Sequence, residues 1–128
     1  MRLLLDTPIA LWAILDDARL SAKARALIEN AENAILVSAA SIWEIAIKHT
    51  LARSNMPLSG SAALGFFREA GYELVAISAT HATLVNSLPA HHTDPFDRLL
   101  IAQAKAESAR FVTHDKIAAK YGDYVLMV

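Results

Sequence analysis

Short apolar segments that alternate with helical segments constrain the fold of this chain more than any other feature. Residues 2–5, 34–37, 73–77, 110–113 and 124–127 have the length and composition of strands. Between them, apolar residues recur at the spacing of amphipathic helices. Parallel strands need crossover helices, and such helices cover both faces of a sheet. The pattern therefore predicts an α/β fold, a three-layer α/β/α sandwich with a central, mainly parallel sheet.

Capping residues mark where the helices begin and end. Thr7 and Pro8 are suited to open the first helix, and Ser21 the second, which reaches about residue 33. Ser41 and Glu44 have capping-box spacing in the next predicted helix, at residues 38–51. Residues 52–61 read as a loop. Further helices are predicted at 62–70, at 79–87, from Asp94 onwards, and from His114-Asp115 to Gly122.

Composition limits the classes to which the protein can belong. A chain of 128 residues fits one domain, 1–128, and a hydrophobic content of 55% suggests that a partner or a second copy covers some apolar surface. It has no cysteine, which excludes disulfides and thiolate metal sites. We expect a cytoplasmic protein, because we find neither a membrane-spanning run nor a signal peptide. The net charge of −1 gives no overall basic field for binding nucleic acid.

The segment Asp94-Pro95-Phe96-Asp97-Arg98-Leu99-Leu100-Ile101-Ala102-Gln103-Ala104 places an acid on an apolar helix face. Asp94 is suited to cap this helix and Pro95 to occupy its first position. Asp97 then lies in the same stripe as Leu100 and Ile101. An inward-facing carboxylate without a partner costs several kcal/mol, so Asp97 needs a cation, a group of donors or an active-site cleft. The alternative is that both acids only cap the helix.

Four acids are predicted to meet at one edge of the sheet. Asp6 and Asp115 follow strands, Glu44 lies one turn into the buried third helix, and Asp97 opens its own helix. Each has a local alternative as a helix cap or, for Glu44, as a partner of Lys48. One shared pocket explains all four and requires cations. Oxygen ligands favour Mg²⁺ or Mn²⁺, and such a site suits phosphodiester hydrolysis.

These segments together resemble the PIN-domain family, and specifically its VapC-type toxins. The resemblance spans nearly the whole chain and rests on Leu-Leu-Leu-Asp6-Thr7, Ser41-Ile42-Trp43-Glu44-Ile45-Ala46, the Asp94–Ala104 segment and Val112-Thr113-His114-Asp115. It implies that Asp6, Glu44, Asp97 and Asp115 are catalytic and hold Mg²⁺, supported by Asp94, Thr7 and Thr113. It also implies RNA cleavage to 5′-phosphate and 3′-hydroxyl ends, a small cognate antitoxin and, with the apolar composition, a homodimer. The chain departs from the family at Pro8, where similar members usually have His.

Other polar and aromatic residues allow more than one interpretation. Several basic side chains could surround the acids and bind RNA phosphates, or they could simply be solvated. They are Lys48, His49, Arg53, Arg98, His114 and Lys116. We expect His91 and His92 to contact substrate or solvent rather than zinc. We expect Trp12 and Trp43 to be core or interface anchors rather than stacking platforms.

Two other functions fit a chain of this length and pattern. A phosphoacceptor receiver module also has an acidic Mg²⁺ pocket, but it needs paired acids after its first strand, an acceptor Asp after its third and a Lys after its last. Asp6 stands alone, and the other two features are missing from the sequence. The second alternative is a catalytically silent binding subunit, against which the intact set of four acids argues.

Overall fold

The computed structural model describes residues 1–51 and 55–128, so Arg53 and the predicted loop residues 52–54 lie outside the described residues. The strands are β1 (Arg2–Leu5), β2 (Ala34–Ser38), β3 (Glu73–Val75), β4 (Arg110–Thr113) and β5 (Val125–Met127). The α-helices are α1 (Thr7–Leu15), α2 (Ala22–Glu29), α3 (Ala39–Thr50), α4 (Gly60–Glu69), α5 (Ala79–Leu84) and α6 (Pro95–Ala106). Short 3-10 helices occupy Val85–Ser87 and Ala118–Tyr121. None of the described helices is long and apolar enough to cross a membrane.

The five strands form one parallel sheet in the order β3-β2-β1-β4-β5. Successive residues of central β1 point to opposite faces, as strand geometry requires. Leu3 and Leu5 pack in a core with residues of α1, α2 and α4, whereas Leu4 packs with residues of α6 on the other face. Helices therefore cover both faces of the sheet. The predicted three-layer α/β/α sandwich is confirmed, and the sheet is parallel throughout the described residues.

Two predicted helix caps are wrong by a few residues. Asp6, not Thr7, caps α1, because Asp6 is extended and its Oδ1 accepts a hydrogen bond from the Thr7 backbone N–H at 2.8 Å. Ser38, not Ser41, caps α3, since its Oγ accepts from the Ala40 N–H at 3.0 Å. The capping box predicted for Ser41 and Glu44 is therefore absent. Both side chains are freed for contacts within the site.

The helix predicted from His114-Asp115 to Gly122 is also wrong. Only the 3-10 helix Ala118–Tyr121 forms there. The Thr113 hydroxyl accepts from the Asp115 N–H at 3.0 Å, and Asp115 Oδ1 accepts from the Ile117 N–H at 2.9 Å. These local side-chain bonds compete with helical hydrogen bonding and hold a turn instead. The other predicted helices and strands are present, with ends shifted by up to four residues.

A buried polar contact fixes helix α6 against the sheet. Gln103 is fully buried, and its Oε1 accepts a hydrogen bond from the Ser38 hydroxyl at the end of β2, at 2.5 Å. Its Nε2 donates to the Ala76 carbonyl at 3.4 Å. A buried amide with these partners specifies one position of the helix along the sheet. This contact sets where the first turn of α6, and therefore Asp97, meets the sheet edge.

Candidate active site

Asp6 lies at the carboxyl end of β1 and is only 5% exposed. Its Oδ1 accepts from the Thr7 N–H at 2.8 Å and its Oδ2 from the Thr113 hydroxyl at 2.7 Å. Burial raises the pKa of Asp6 above its usual range, the two hydrogen bonds oppose that rise, and the nearby charge of Glu44 adds to it. Asp6 is therefore held in one orientation beside a second acid.

Glu44 reaches the same site from α3 and is 8% exposed. One turn earlier on this helix, Ser41 Oγ accepts a hydrogen bond from the Thr7 hydroxyl at 2.8 Å, which fastens α3 to α1 in the interior. Thr7 thus supports the site through its backbone N–H and through this helix contact. Glu44 Oε2 lies 2.7 Å from Lys48 Nζ. The hydrogen bond to Glu44 raises the pKa of Lys48, as do the charges of Asp94 and Asp97.

Asp97 occupies the first turn of α6, as predicted. Asp94 caps the helix, and its Oδ1 accepts from the backbone N–H groups of Phe96 and Asp97 at 2.8 and 3.3 Å. Burial raises the pKa of Asp97 to about 7, and the charges of Asp6, Asp94 and Glu44 contribute to the rise, whereas His92 opposes it. The cap is Asp94, so Asp97 is not needed for capping. Its carboxylate instead meets three other acids.

Asp115 joins the cluster from the turn after β4. Thr113 connects it to Asp6, because the Thr113 hydroxyl accepts from the Asp115 N–H while donating to Asp6. Asp115 Oδ2 is 2.5 Å from His92 Nε2, and His92 Nδ1 is 3.8 Å from Asp97 Oδ2. Within the described residues, His92, Asp97 and Asp115 can each direct one ligand atom to a common point, with these atoms within 4.8 Å of one another.

His92 is the site residue that the sequence analysis missed. It was expected to contact substrate or solvent, but its ring lies between two predicted metal ligands. No local pattern connects His92 to Asp115, which lies 23 residues away. The neighbouring His91 points elsewhere, and its ring meets Tyr121 edge-on with ring centroids 4.9 Å apart. Only the folded arrangement separates the roles of these two histidines.

Arg98, one of the possible phosphate-binding residues, contacts the loop that precedes its helix. Its Nη2 donates to the Val85 carbonyl at 2.9 Å, and its Nη1 donates to the Pro89 carbonyl at 3.0 Å and to Tyr121 Oη at 3.3 Å. Tyr121 Oη also accepts from the His92 N–H at 2.8 Å. The guanidinium therefore fixes the segment that carries His92 into the cluster.

Of the other predicted substrate-binding residues, Lys48 and His114 lie at the site. Lys48 is exposed and pairs with Glu44. His114 is exposed beside Asp115, and its ring centroid lies 5.1 Å from that of Trp12. The charge of His114 also lowers the pKa of Asp6 slightly against the larger effect of burial. These cations border the acids on the side where helix α1 begins.

The donor chemistry of the cluster fits a divalent cation. Asp6, Glu44, Asp97 and Asp115 supply carboxylate oxygens, which hard ions such as Mg²⁺ and Mn²⁺ prefer, and His92 adds a nitrogen that Mn²⁺ also accepts. Burial is the largest cause of the raised pKa of Asp97, and repulsion from the charges of Asp6, Asp94 and Glu44 adds to it. A cation among them would relieve that repulsion. The residues present therefore fit a metal centre.

Comparisons with known proteins are consistent with this geometry. The family model described as PIN domain matches residues 3–124. Among solved structures, the chain is similar to VapBC2 from Rickettsia felis bound to a DNA fragment from their promoter, with a TM-score of 0.70 and 19% identity over 100% of this chain and 98% of that chain. It is also similar to FitAcB from Neisseria gonorrhoeae, with a TM-score of 0.62 and 16% identity over 98% of this chain and 96% of that chain. No curated protein matches the sequence significantly. At these identities the structural similarity concerns the fold.

Proposed function

Because this chain belongs to the PIN-domain family, whose members are generally nucleases, we propose that it is a Mg²⁺- or Mn²⁺-dependent endoribonuclease and the VapC-type toxin of a toxin–antitoxin pair. One observation carries the proposal. His92 lies between the carboxylates of Asp97 and Asp115, and the Thr113 hydroxyl bonds both Asp115 and Asp6, so acids from separate parts of the chain share one site. Carboxylates in such a group stay ionised at neutral pH when a cation neutralises them, and metal-assisted phosphodiester hydrolysis uses such a cation.

We assign the metal to Asp6, Glu44, Asp97 and Asp115. When bound, the ion would supply an activated water and stabilise charge on the leaving oxygen. The chain's own residues hold the ligands in place: Thr113 orients Asp6 and Asp115, and Asp94 fixes the first turn beneath Asp97. His92 orients Asp115 through its Nε2. Hydrogen bonds of this kind to ligating residues maintain both their direction and their affinity for metal.

The proposed substrate is RNA in the cytoplasm, cleaved to 5′-phosphate and 3′-hydroxyl ends. Lys48 and His114 lie beside the acids and can bind the phosphates that flank the bond to be cleaved. Lys48 would exchange part of its pairing with Glu44 for a substrate phosphate once a cation occupies the cluster. Positive side chains of this kind position a nucleic acid backbone without reading its sequence.

We further propose a homodimer and a small cognate antitoxin as partners. Trp43, on the helix that carries Glu44, is 57% exposed, and its ring packs edge-on against Phe96 with centroids 5.2 Å apart. Exposed aromatic side chains of this kind support an interaction surface close to the acids. An antitoxin Arg inserted among the carboxylates would inhibit the enzyme by forming bidentate pairs where the metal binds.

Cleavage by matched acid variants tests the proposed function. Purified wild-type protein should cleave single-stranded RNA with Mg²⁺ or Mn²⁺ and lose that activity in excess EDTA. Asp6→Asn and Asp97→Asn should lower the rate at least 100-fold, an order expected for lost transition-state charge stabilisation. Asp123→Asn changes an exposed carboxylate outside the cluster and should cleave normally. Full activity of Asp97→Asn, or activity that survives EDTA, contradicts the proposal.

A further inference from the structure

A cavity on the side of α1 reaches the acidic site at Glu44. Its volume is about 340 Å³, near the lower end of ligand-binding pockets, which span about 300–1,000 Å³. Thr7, Glu44 and Lys48 line the end that meets the acidic cluster. The remainder, which we call the α1 cleft, is lined by Pro8, Leu11, Trp12, Arg19, Met56 and Pro57. The space is therefore continuous with the proposed catalytic site and large enough for one nucleotide.

The lining of this cavity combines apolar and charged side chains. Leu11, Met56 and Pro57 provide apolar walls, and the ring of Pro8 adds to them. Lys48 and Arg19 supply positive charge, and among the described lining residues Glu44 is the only acid. A nucleotide has matching parts, because its base has apolar faces and its phosphate is anionic. The match orients the phosphate towards the acids and the base into the cleft.

Arg19 is held so that its planar group faces this space. Asp17 binds it with two hydrogen bonds, Nε to Oδ1 at 3.1 Å and Nη2 to Oδ2 at 2.7 Å. The Arg19 Cζ atom lies 5.2 Å from the centroid of the Trp12 ring. Its side chain is nevertheless 68% exposed, so one side of the guanidinium faces Trp12 and much of the rest is open. A fixed guanidinium plane is a surface on which an unpaired base can stack.

We propose that the α1 cleft binds the nucleobase next to the phosphate to be cleaved, with Arg19 as its stacking platform. The inference rests on the proposed function and adds a residue of this chain, Arg19, that would position the substrate. A base paired in a duplex cannot leave its stack to enter the cleft without a cost, whereas an unpaired base can. Stacking tolerates all four bases, so the cleft selects unpaired nucleotides rather than a sequence.

Arg19→Lys separates stacking from charge, because lysine keeps the positive charge but has no planar group. The probe is a fluorescently labelled eight-nucleotide single-stranded RNA, whose binding is measured by anisotropy in EDTA so that no cleavage occurs. Arg19→Lys should raise Kd about tenfold, the order expected for one base–platform contact. The dependence of Kd on salt should stay as in the wild type, since the number of neutralised phosphates is unchanged. Arg110→Lys, an exposed arginine at the amino end of β4, is the control and should bind normally.

Cleavage with Mg²⁺ provides the second measurement. If the cleft holds the base equally tightly in the ground state and in the transition state, Arg19→Lys should raise KM several-fold and leave kcat nearly unchanged. If the wild type cleaves RNA and Arg19→Lys matches it in Kd and KM, the α1 cleft does not bind a base, while the proposed nuclease function stands. If the wild type neither binds nor cleaves RNA, both proposals fail. Loss of antitoxin binding in Arg19→Lys with unchanged RNA binding would assign the cleft to the protein partner and overturn the inference.

Discussion

At the scale of single residues, local sequence singled out the acids as candidates but not the residues that contact them. Asp97 was identifiable because an acid in an apolar helical stripe is expensive unless it has a function. His92 and Arg98 gave no comparable signal, because their roles depend on partners 23 residues away in the chain, Asp115 and Tyr121. Arg98 was predicted either to bind phosphate or to be solvated, and neither its charge nor its helix position reveals that its guanidinium donates to backbone carbonyls.

The raised pKa of Asp97 leads to a prediction about pH and stability. Its pKa is about 7 in the fold and near 3.8 in the unfolded chain, so between these values the native state binds the extra proton. The stability that this proton contributes is fully present below the unfolded value and is lost as pH rises through about 7. In metal-free buffer, from about pH 4 to about pH 8, we expect a loss of roughly 2 kcal/mol, about half the unscreened value because the side chain is 26% exposed.

Denaturant unfolding of wild type and Asp97→Asn over this pH range checks the prediction. The difference between the two proteins isolates Asp97 from the other titrating groups. Relative to the wild type, Asp97→Asn should gain stability steadily as the pH rises, whereas Asp123→Asn should follow the wild type. Parallel curves for the wild type and Asp97→Asn would mean that the fold does not perturb this carboxyl group.

At the scale of elements, the periodicity of apolar residues predicted the strands and most helices. The errors in helix position occur where side-chain hydrogen bonds replace the backbone hydrogen bonds of a helix. Ser38 and Ser41 both fit a helix start, and only the contact of Ser41 with Thr7 on another helix separates them. The turn after β4 had capping residues at both ends, yet Thr113 and Asp115 hold it in a non-helical form. Periodicity detects an amphipathic face, but it does not detect competition from local side-chain bonds.

The contacts of Arg98 predict that helix α6 and the loop before it act as one unit. Arg98→Lys keeps the charge but cannot reproduce the planar fork that reaches the Val85 and Pro89 carbonyls together. We expect it to lower the free energy of unfolding by about 1–3 kcal/mol, because part-buried acceptors lose their donors. Mn²⁺ affinity, measured by calorimetry, should fall by about tenfold because His92 is no longer held beside Asp115.

Arg68→Lys is the matched control for this experiment. It alters an exposed arginine on α4 and should change neither stability nor metal affinity. If Arg98→Lys loses stability but binds Mn²⁺ normally, the loop supports the fold without orienting the metal ligands. That result would remove His92 from the site as we describe it.

At the scale of the whole molecule, the proposed metal centre exists only when distant parts of the chain come together. Asp6 and Asp115 follow the ends of two strands, Glu44 lies in the second turn of α3, and Asp97 lies in the first turn of α6. Parallel strands place their carboxyl ends at one edge of the sheet, and the prediction of a shared acidic site rests on that rule. The unfolded chain separates them, so it escapes their repulsion and also lacks a metal site. Metal binding and folding should therefore be thermodynamically linked.

This linkage predicts opposite effects of one substitution with and without metal. At a Mg²⁺ concentration about 100 times its Kd, the wild type should gain about 2.7 kcal/mol in free energy of unfolding. Asp97→Asn should gain much less. In EDTA, however, Asp97→Asn should equal or exceed the wild type, because it removes one charge from the cluster and Asp94 still caps α6.

Thermal melts in EDTA and in Mg²⁺ make the comparison. The proteins to be compared are the wild type, Asp6→Asn, Glu44→Gln, Asp97→Asn and Asp115→Asn. Asp123→Asn is the control and should respond like the wild type. A carboxylate that serves only as a helix cap would behave differently: its loss costs about 1 kcal/mol, less when Asn replaces it, and the cost does not depend on metal. Asp6 combines both roles, because it caps α1 and lies in the cluster, so Asp6→Asn should lose the Mg²⁺ gain with little relief in EDTA. If Mg²⁺ leaves the wild-type melting temperature unchanged, or if all four variants are destabilised equally in both buffers, the acids are structural and the shared metal site does not exist.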